Sequence, residues 1–489
     1  MLTRAEQTRG LAAGAASLVL IGLFVTLPTA ALLMTAPAAG LGQALFDAYT
    51  LSILRFTLLQ AVLSTLLSVM LAVPVALALA RRSRFPGRIW IIRLMAVPMG
   101  LPVLIGALGL IGIFGRQGLL NDMLALAGLR NPVSIYGLTG ILIAHVFFNL
   151  PLAARLMLAG LERLPPEYWR LSASLGMSSW SIFRFVERRA LLSVIPGAAG
   201  LIFMLCATSF TLVLVLGGGP AATTLEVAIY QSLRFDFDPP RAVTLALLQI
   251  ALTALILLGL GRFATNDRST SGEGRPPRRF DGRGPAALAW DTLSILLATL
   301  FLLLPLASVL VSGWKADLGR LVLIPAFRQA AITSLSIALT ASLLSLLMAG
   351  GIIQARSAIA DRRKATRTLL AFSGTLGGLS SLVLLVPPVV LGTGWFLLIR
   401  PVGQVTSFAP MLIAAINALM ALPFVMRVLE PAVETHIART RRLSASLGIG
   451  GISRLRLIDW PGLRRPLFMA LSFAMALSLG DLGAVAMFG

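Results

Sequence analysis

Apolar positions along this chain do not recur with the spacing of an amphipathic helix or alternate as in a half-buried strand. They come in continuous runs of about 20 residues separated by short polar or basic stretches. The runs predict eleven spans: Leu11 to Ala36, Arg55 to Ala80, Ile91 to Phe114, Tyr136 to Gly160, Ala190 to Leu216, Arg241 to Leu260, Leu288 to Val311, Phe327 to Gln354, Leu369 to Ile399, Phe408 to Leu429, and a last one from Leu467. In lipid such runs satisfy their backbone only as helices or a closed barrel, and the missing period of two favours helices.

A second pattern lies over the first. Arg-Leu-Ser-Ala-Ser-Leu-Gly occurs unchanged at 170–176 and 442–448, an offset of 272 residues. Leu150-Pro151, Arg155 and Glu162 recur in register as Leu422-Pro423, Arg427 and Glu434, and Arg184 and Val186 return as Arg456 and Ile458. The chain is therefore two copies of one unit. We assign 1–262 to the first copy, with six spans and a loop at about 161–189, and 288–489 to the second, with a loop at about 431–466. Residues 263–287 form a polar Thr, Ser, Gly, Pro and Arg linker, expected to be disordered or loosely held at lipid headgroups. Six spans per copy imply parallel copies related by a pseudo-twofold axis along the membrane normal. At the repeat offset Gly489 matches Gly217, where the first copy has one more span to come, which leads us to expect about 45 further residues and a twelfth span in the complete product.

Composition agrees: 57% hydrophobic, 12% charged and a mean hydropathy of +0.90 describe a polytopic membrane protein. The net charge of +22 changes the picture only through its distribution. Most Lys and Arg lie on the side of the two repeated loops, which by the positive-inside rule places those loops and the N-terminus in the cytoplasm. The basic excess thus reports topology and contact with anionic lipid, with no nucleic-acid partner. Arg4 and Arg9 precede a first span without a small-residue cleavage site, so that span is read as retained. A lone cysteine, Cys206, excludes an intrachain disulfide and reads as a small buried residue.

The repeated loop resembles the cytoplasmic signature of binding-protein-dependent ABC importer permeases, in which Glu-Ala-Ala is followed three residues later by Gly and then by an Ile-x-Leu-Pro end. Here the first copy reads Arg170-Leu171-Ser172-Ala173, Leu175-Gly176 and then Val186 to Arg189. The second reads Arg442-Leu443-Ser444-Ala445, Leu447-Gly448 and then Ile458-Asp459-Trp460-Pro461. Arg stands where the family has Glu, and Arg189 replaces the first loop's terminal Pro. The resemblance implies two type I permease units and loops that dock on a pair of ATP-binding cassette subunits. With only Lys315 and Lys364, and no Gly-Lys-Ser/Thr, the chain has no phosphate loop, so ATP hydrolysis falls to a separate subunit.

Leu216-Gly-Gly-Gly-Pro220, Thr223-Thr224, Glu226, Tyr230-Gln231, Asp236, Asp238-Pro239 and Arg241-Ala242 are similar to the permeases of thiamine and thiamine pyrophosphate importers. That likeness implies a periplasmic thiamine-binding protein as partner, with Glu226, Asp236 and Asp238 as candidate contacts to it; Asp236 and Asp238 read first as solvated or capping residues. Ferric iron importers share the two-copy layout and are the alternative. Asp481, opposite Ser209 at the repeat offset, is the one carboxylate placed within a span, and an acid there is a candidate for the pathway of a cationic vitamin. Pro98 and Pro102 interrupt the third span, and Pro387 and Pro388 interrupt the ninth at the corresponding place, which also points to a pathway. His145 and His436 are too far apart in sequence to suggest a metal site, and no nucleophile and base, metal or cofactor signature is visible. A proton-coupled secondary transporter would need ionisable groups in its spans, and beyond Asp481 and His145 almost none is found.

Overall fold

The computed structural model describes residues 4–35, 47–128, 134–261, 279, 281–282, 284–361, 366–382, 386–448 and 451–488, and no strand occurs among them. The stretch 262–278, most of the predicted linker, lies outside the described residues.

The helices follow the apolar runs. In order they are α1 (Arg4–Thr35), α2 (Ala48–Arg81), α3 (Arg88–Leu94), α4 (Val97–Gly100), α5 (Val103–Phe114), α6 (Leu119–Leu126), α7 (Leu138–Glu162), α8 (Pro166–Ser174), α9 (Ser179–Ile182), α10 (Arg188–Ala207) and α11 (Thr211–Leu216). There follow α12 (Leu225–Arg234), α13 (Pro239–Gly261), α14 (Pro285–Lys315), α15 (Leu318–Leu323), α16 (Pro325–Ala360), α17 (Arg367–Leu382), α18 (Pro388–Ile399), α19 (Val405–Ser446), α20 (Gly451–Arg454), α21 (Trp460–Gly480) and α22 (Gly483–Phe488).

Among the described residues nine helices are long and apolar enough to cross a membrane, against the eleven expected. The difference lies at two predicted spans. The ninth is divided between α17 and α18, because Pro387 and Pro388 cannot continue a hydrogen-bond ladder. The eleventh forms as α21, but Arg464 and Arg465 near its start dilute its hydropathy.

The chain divides into two bodies that do not coincide with the two sequence copies. One contains Met1–Leu45, Ala228–Ile250 and Gly319–Gly489; the other contains Phe46–Val227 and Ala251–Leu318. Thus α1, from the first copy, packs on α16 and α18 of the second, while α14, which opens the second copy, packs on α2 and α5 of the first.

In the first body α1 crosses α16 closely, because small residues meet there. A Cβ on Gly14 would collide with the side chain of Ala355, and one on Gly351 would reach 2.9 Å from the carbonyl of Ala13. Around this crossing Ile21, Met348, Ile352, Leu376, Leu419 and Leu422 are buried together. In the second body α7 is the most enclosed span and packs against α2 and α10. Two of its buried polar side chains bond to neighbouring helices: His145 Nδ1 shares a 2.8 Å hydrogen bond with Ser64 Oγ, and Asn149 Nδ2 donates to Cys206 Sγ at 3.4 Å. Gln60 donates to the Cys206 carbonyl at 2.9 Å. In lipid such pairing lowers the cost of a buried polar group; it covers His145 Nδ1, while His145 Nε2 and Gln60 Oε1 have no hydrogen-bond partner among the described residues.

Candidate functional site: two repeated helical turns and the broken spans

The repeated heptad folds by local rules. Pro166 starts α8 at a position where no amide donor is needed. The helix ends in a Schellman motif: Gly176 lies in the left-handed region (φ +58°), its N–H donates to Ala173 O at 3.2 Å, and Met177 N–H donates to Ser172 O at 3.0 Å. Gly448 has the same conformation (φ +62°).

The resemblance continues past the turn. In the first copy α9 runs into a π-helical segment, Phe183–Glu187, before α10; in the second α20 runs into Leu455–Asp459 before α21, at the repeat offset. A π segment inserts one residue per turn and re-aims the side chains beyond it, and it is commonly found at functional positions. Side-chain placement matches as well. Ser172 and Ser444 are buried at 3% and 4% exposure, whereas Leu175 and Leu447 stand out at 67% and 61%. In the first copy Tyr168, Leu171 and Leu175 form an exposed apolar row at helical spacing on α8, with only Trp169 and Ser172 turned inward. Arg170 is exposed, and Ala173 is exposed beside it. The side chains of Arg442, Leu443 and Ala445 lie outside the described residues.

The two loops differ at their entry. Pro165-Pro166 separates α7 from α8, whereas the second copy has Ile437-Ala438 at the matching positions, and α19 runs unbroken from the tenth span into the repeated turn. The expected boundary between span and loop near residue 431 is therefore absent: Pro431 sits inside the helix. His436 shares a 2.9 Å hydrogen bond with Asp459 Oδ1, within the second loop.

The predicted breaks in the spans are present, and the structure pairs them. Pro98 lies in the single turn α4, Pro102 is the N-cap of α5, and Pro387 is the N-cap of α18. The eleventh span breaks at Asp481 and resumes as α22; the fifth breaks at 208–210, which contains Ser209, and resumes as α11. In one body α22 packs on α18, with a Cβ on Gly483 falling 3.5 Å from Pro388; in the other α11 packs on α5. Each resumed half-helix after a fifth-span break thus lies against the half-helix that follows a proline break. In many secondary transporters discontinuous helices line the substrate site.

Asp481 sits between α21 and α22 rather than within a helix. Its carboxylate accepts the backbone N–H groups of Gly483 (3.1 Å) and Ala484 (3.3 Å), so it caps α22. Asp481→Asn, which keeps one of the two accepting oxygens, is expected to retain most of the protein level and uptake, whereas Asp481→Ala loses about 1 kcal/mol of capping. Immunoblotting with a labelled-substrate uptake assay checks this; loss of uptake in Asp481→Asn at normal level would instead show that the charge itself is used.

Of the candidate external contacts, Glu226 is corrected. It is 1% exposed in the first turn of α12, where the preceding amide, Leu225 N–H, donates to Thr57 Oγ1 at 3.1 Å, so its position makes it an interior group and not a surface contact. Asp236 is exposed, and Asp238 caps α13 by accepting Arg241 N–H at 3.2 Å.

Comparison with known proteins defines the class first. Residues 72–266, which include the first repeated loop, match the family model of the binding-protein-dependent transport system inner membrane component. The chain is a multi-pass membrane permease of that type. Among its relatives, the thiamine transport system permease protein ThiP of Brucella abortus is 46% identical across 96% of this chain and 86% of the relative. The corresponding protein of Salmonella typhimurium is 43% identical, again across 96% and 86%, and that of Escherichia coli 44% across 91% and 81%. The chain belongs to the thiamine transport system permease family.

Sequence reading missed three features that the structure brings forward: the paired breaks, the packing of each first span on helices of the other copy, and a buried cluster around Arg279 at the end of the linker. The glycines of the close crossings were a usable signal. An Arg in a Pro, Gly and Arg-rich stretch gave none.

Proposed function

We propose that this chain is the membrane-spanning subunit of an ATP-driven importer that moves thiamine, with or without its phosphates, from periplasm to cytoplasm. The observation that carries the reading is the helix–turn–π-helix motif formed twice, with the same buried Ser and the same exposed Leu in each copy. The exposed apolar row on the short helix α8 is a docking face, and the exposed Leu447 stands at the matching place in the second copy, so the two turns suit two ATP-binding cassette subunits. Each motif continues into the fifth span of its copy, which ends at a break, so movement of the turn would be transmitted to the broken region. In this reading 1–262 and 288–489 are tandem permease units, the N-terminus is cytoplasmic and the protein lies in the bacterial inner membrane. A periplasmic thiamine-binding protein delivers ligand near Asp236 and Asp238. Thiamine is favoured over ferric iron because the three relatives named above, matched over most of their length, are thiamine transport permeases.

Two measurements test this. Labelled thiamine uptake by cells carrying the permease with its ATPase and binding protein is expected to need both partners, to persist with an uncoupler while ATP is maintained, and to ignore ferric iron; accumulation of iron alone would overturn the substrate, and collapse with the proton gradient alone would overturn the class. In the second, Leu175→Asp combined with Leu447→Asp is expected to abolish co-purification of the ATPase while leaving the permease in the membrane, because both side chains are exposed. Retained co-purification would remove the loops from the docking face.

A further inference from the structure

The linker was expected to be free, but its last residues are held. Arg279, Asp281 and Gly282 fold into a buried cluster that joins four parts of one body. The Arg279 guanidinium donates to Glu187 Oε1 at 2.5 Å, grips Asp281 through two nitrogens at 2.9 and 2.7 Å, and lies 4.2 Å above the ring of Trp169. Gly282 N–H donates to Ser179 Oγ at 3.1 Å, and its carbonyl accepts from Arg82 Nη2 at 2.5 Å. Arg81 and Arg82, at the end of α2, bind Asp291 in α14 at 2.8 and 2.9 Å, and Arg81 approaches Asp281 at 3.5 Å.

Three guanidinium groups thus face three carboxylates. All three acids and Arg279 are almost wholly excluded from water. Burial alone would raise the Asp281 carboxyl, but the hydrogen bonds and charge of Arg279, aided by Arg81, outweigh it and hold it below the usual carboxylate range.

The position of the cluster is informative. Trp169 is the inward side chain of α8, Ser179 opens the next helix, and Glu187 ends the π segment, so the linker touches the first repeated loop at its start, middle and end. In the second copy Asp459 stands where Glu187 does, and its partners are His436 and Arg454 from the same loop.

We infer that the linker end is a strap that fixes the orientation of the first docking helix, with Arg279 as its positioning residue. The inference rests on the reading of the repeated loops as ATPase docking sites, and the test separates the two. A planar guanidinium can stack on Trp169 and bind two carboxylates at once, which no other side chain can do. Without it Trp169 loses its lid and Glu187 is left buried without its cation. Docking would then remain possible while the movement it delivers is partly lost.

Spin labels at Leu175→Cys and, separately, Leu447→Cys in the permease alone report each loop without any partner. Arg279→Ala is expected to mobilise the label at 175 and leave that at 447 unchanged. In reconstituted vesicles with the ATPase and binding protein, it is expected to lower thiamine uptake several-fold while ATP hydrolysis falls much less, so that more ATP is consumed per vitamin. Arg279→Lys keeps the charge but not the fork or the stacking, and should recover part of both; it also serves as the test variant if Arg279→Ala fails to accumulate. An immobile label at 175, or an unchanged ratio of ATP to thiamine with a mobile label, overturns the strap as a positioning element. Loss of ATPase binding in Leu175→Asp with Leu447→Asp is read independently, so failure of the docking reading is recognised as such.

Discussion

Replacing Gly176 and Gly448 together by Pro is expected to reduce thiamine uptake by more than tenfold while the protein remains in the membrane. Both glycines lie at φ near +60°. Pro fixes φ near −65° and has no amide proton, so Gly176→Pro removes the bond to Ala173 O and forbids the conformation that closes the Schellman motif. The chain beyond the turn must then leave in another direction, carrying the π segment and the fifth span's entry with it. A graded series separates this from simple crowding. At both positions a Cβ would meet nothing within 4 Å, so Ala introduces no clash and its cost is the left-handed backbone alone, about 1–2 kcal/mol. Asn adopts that conformation more readily. Uptake should therefore fall in the order Gly, Asn, Ala, Pro. If Ala matched Pro, or Pro matched Gly, the turn's conformation would not be the quantity that matters.

The turn could be read from sequence because its information is local. A heptad ending in Gly carries its own stop signal, and the duplication marked it as more than a basic surface loop. The same holds for the breaks at Pro98, Pro102, Pro387 and Pro388, where a missing donor and a fixed φ act within a single turn of helix. The linker failed for the opposite reason: Arg279 is positioned by Trp169, Glu187 and Asp281, partners up to about a hundred residues away in the chain. Nothing in Arg-Arg-Phe-Asp-Gly distinguishes a buried strap from a solvated one. Glu226 likewise looks external beside Asp236, yet it is buried, next to the Leu225 N–H that donates to Thr57 Oγ1. The entry to the second loop shows how little can separate two outcomes, since without the proline pair the tenth span and the repeated helix form one helix, α19.

Gly394→Leu and Gly109→Leu are each expected to lower the amount of folded protein severalfold, through overpacking of about 1–3 kcal/mol or more. Gly109 and Gly394 each stand seven residues beyond a span-breaking proline, Pro102 and Pro387. A Cβ on Gly394 would lie 2.5 Å from Pro28 O in α1, and one on Gly109 would lie 2.5 Å from Pro305 O in α14. These are backbone atoms, and no side-chain rotation relieves the clash. The partner at each site is a proline within the first helix of the other sequence copy. Pro28 lacks the N–H that would bind the carbonyl of Phe24 four residues earlier, and Trp395, next to Gly394, donates its indole N–H to that carbonyl at 3.2 Å. The close approach at Gly394 is thus what brings Trp395 into reach, and leucine there would cost both the packing and the indole hydrogen bond to that oxygen. Because the two contacts fall in different bodies, their effects on thermal stability in detergent should add, as expected for sites without shared partners. Normal levels of both variants would mean that the exchanged first helices are not needed to hold the bodies together internally. Loss of uptake at normal level would shift their importance from assembly to the movement of the half-helices α5 and α18 that bear the glycines.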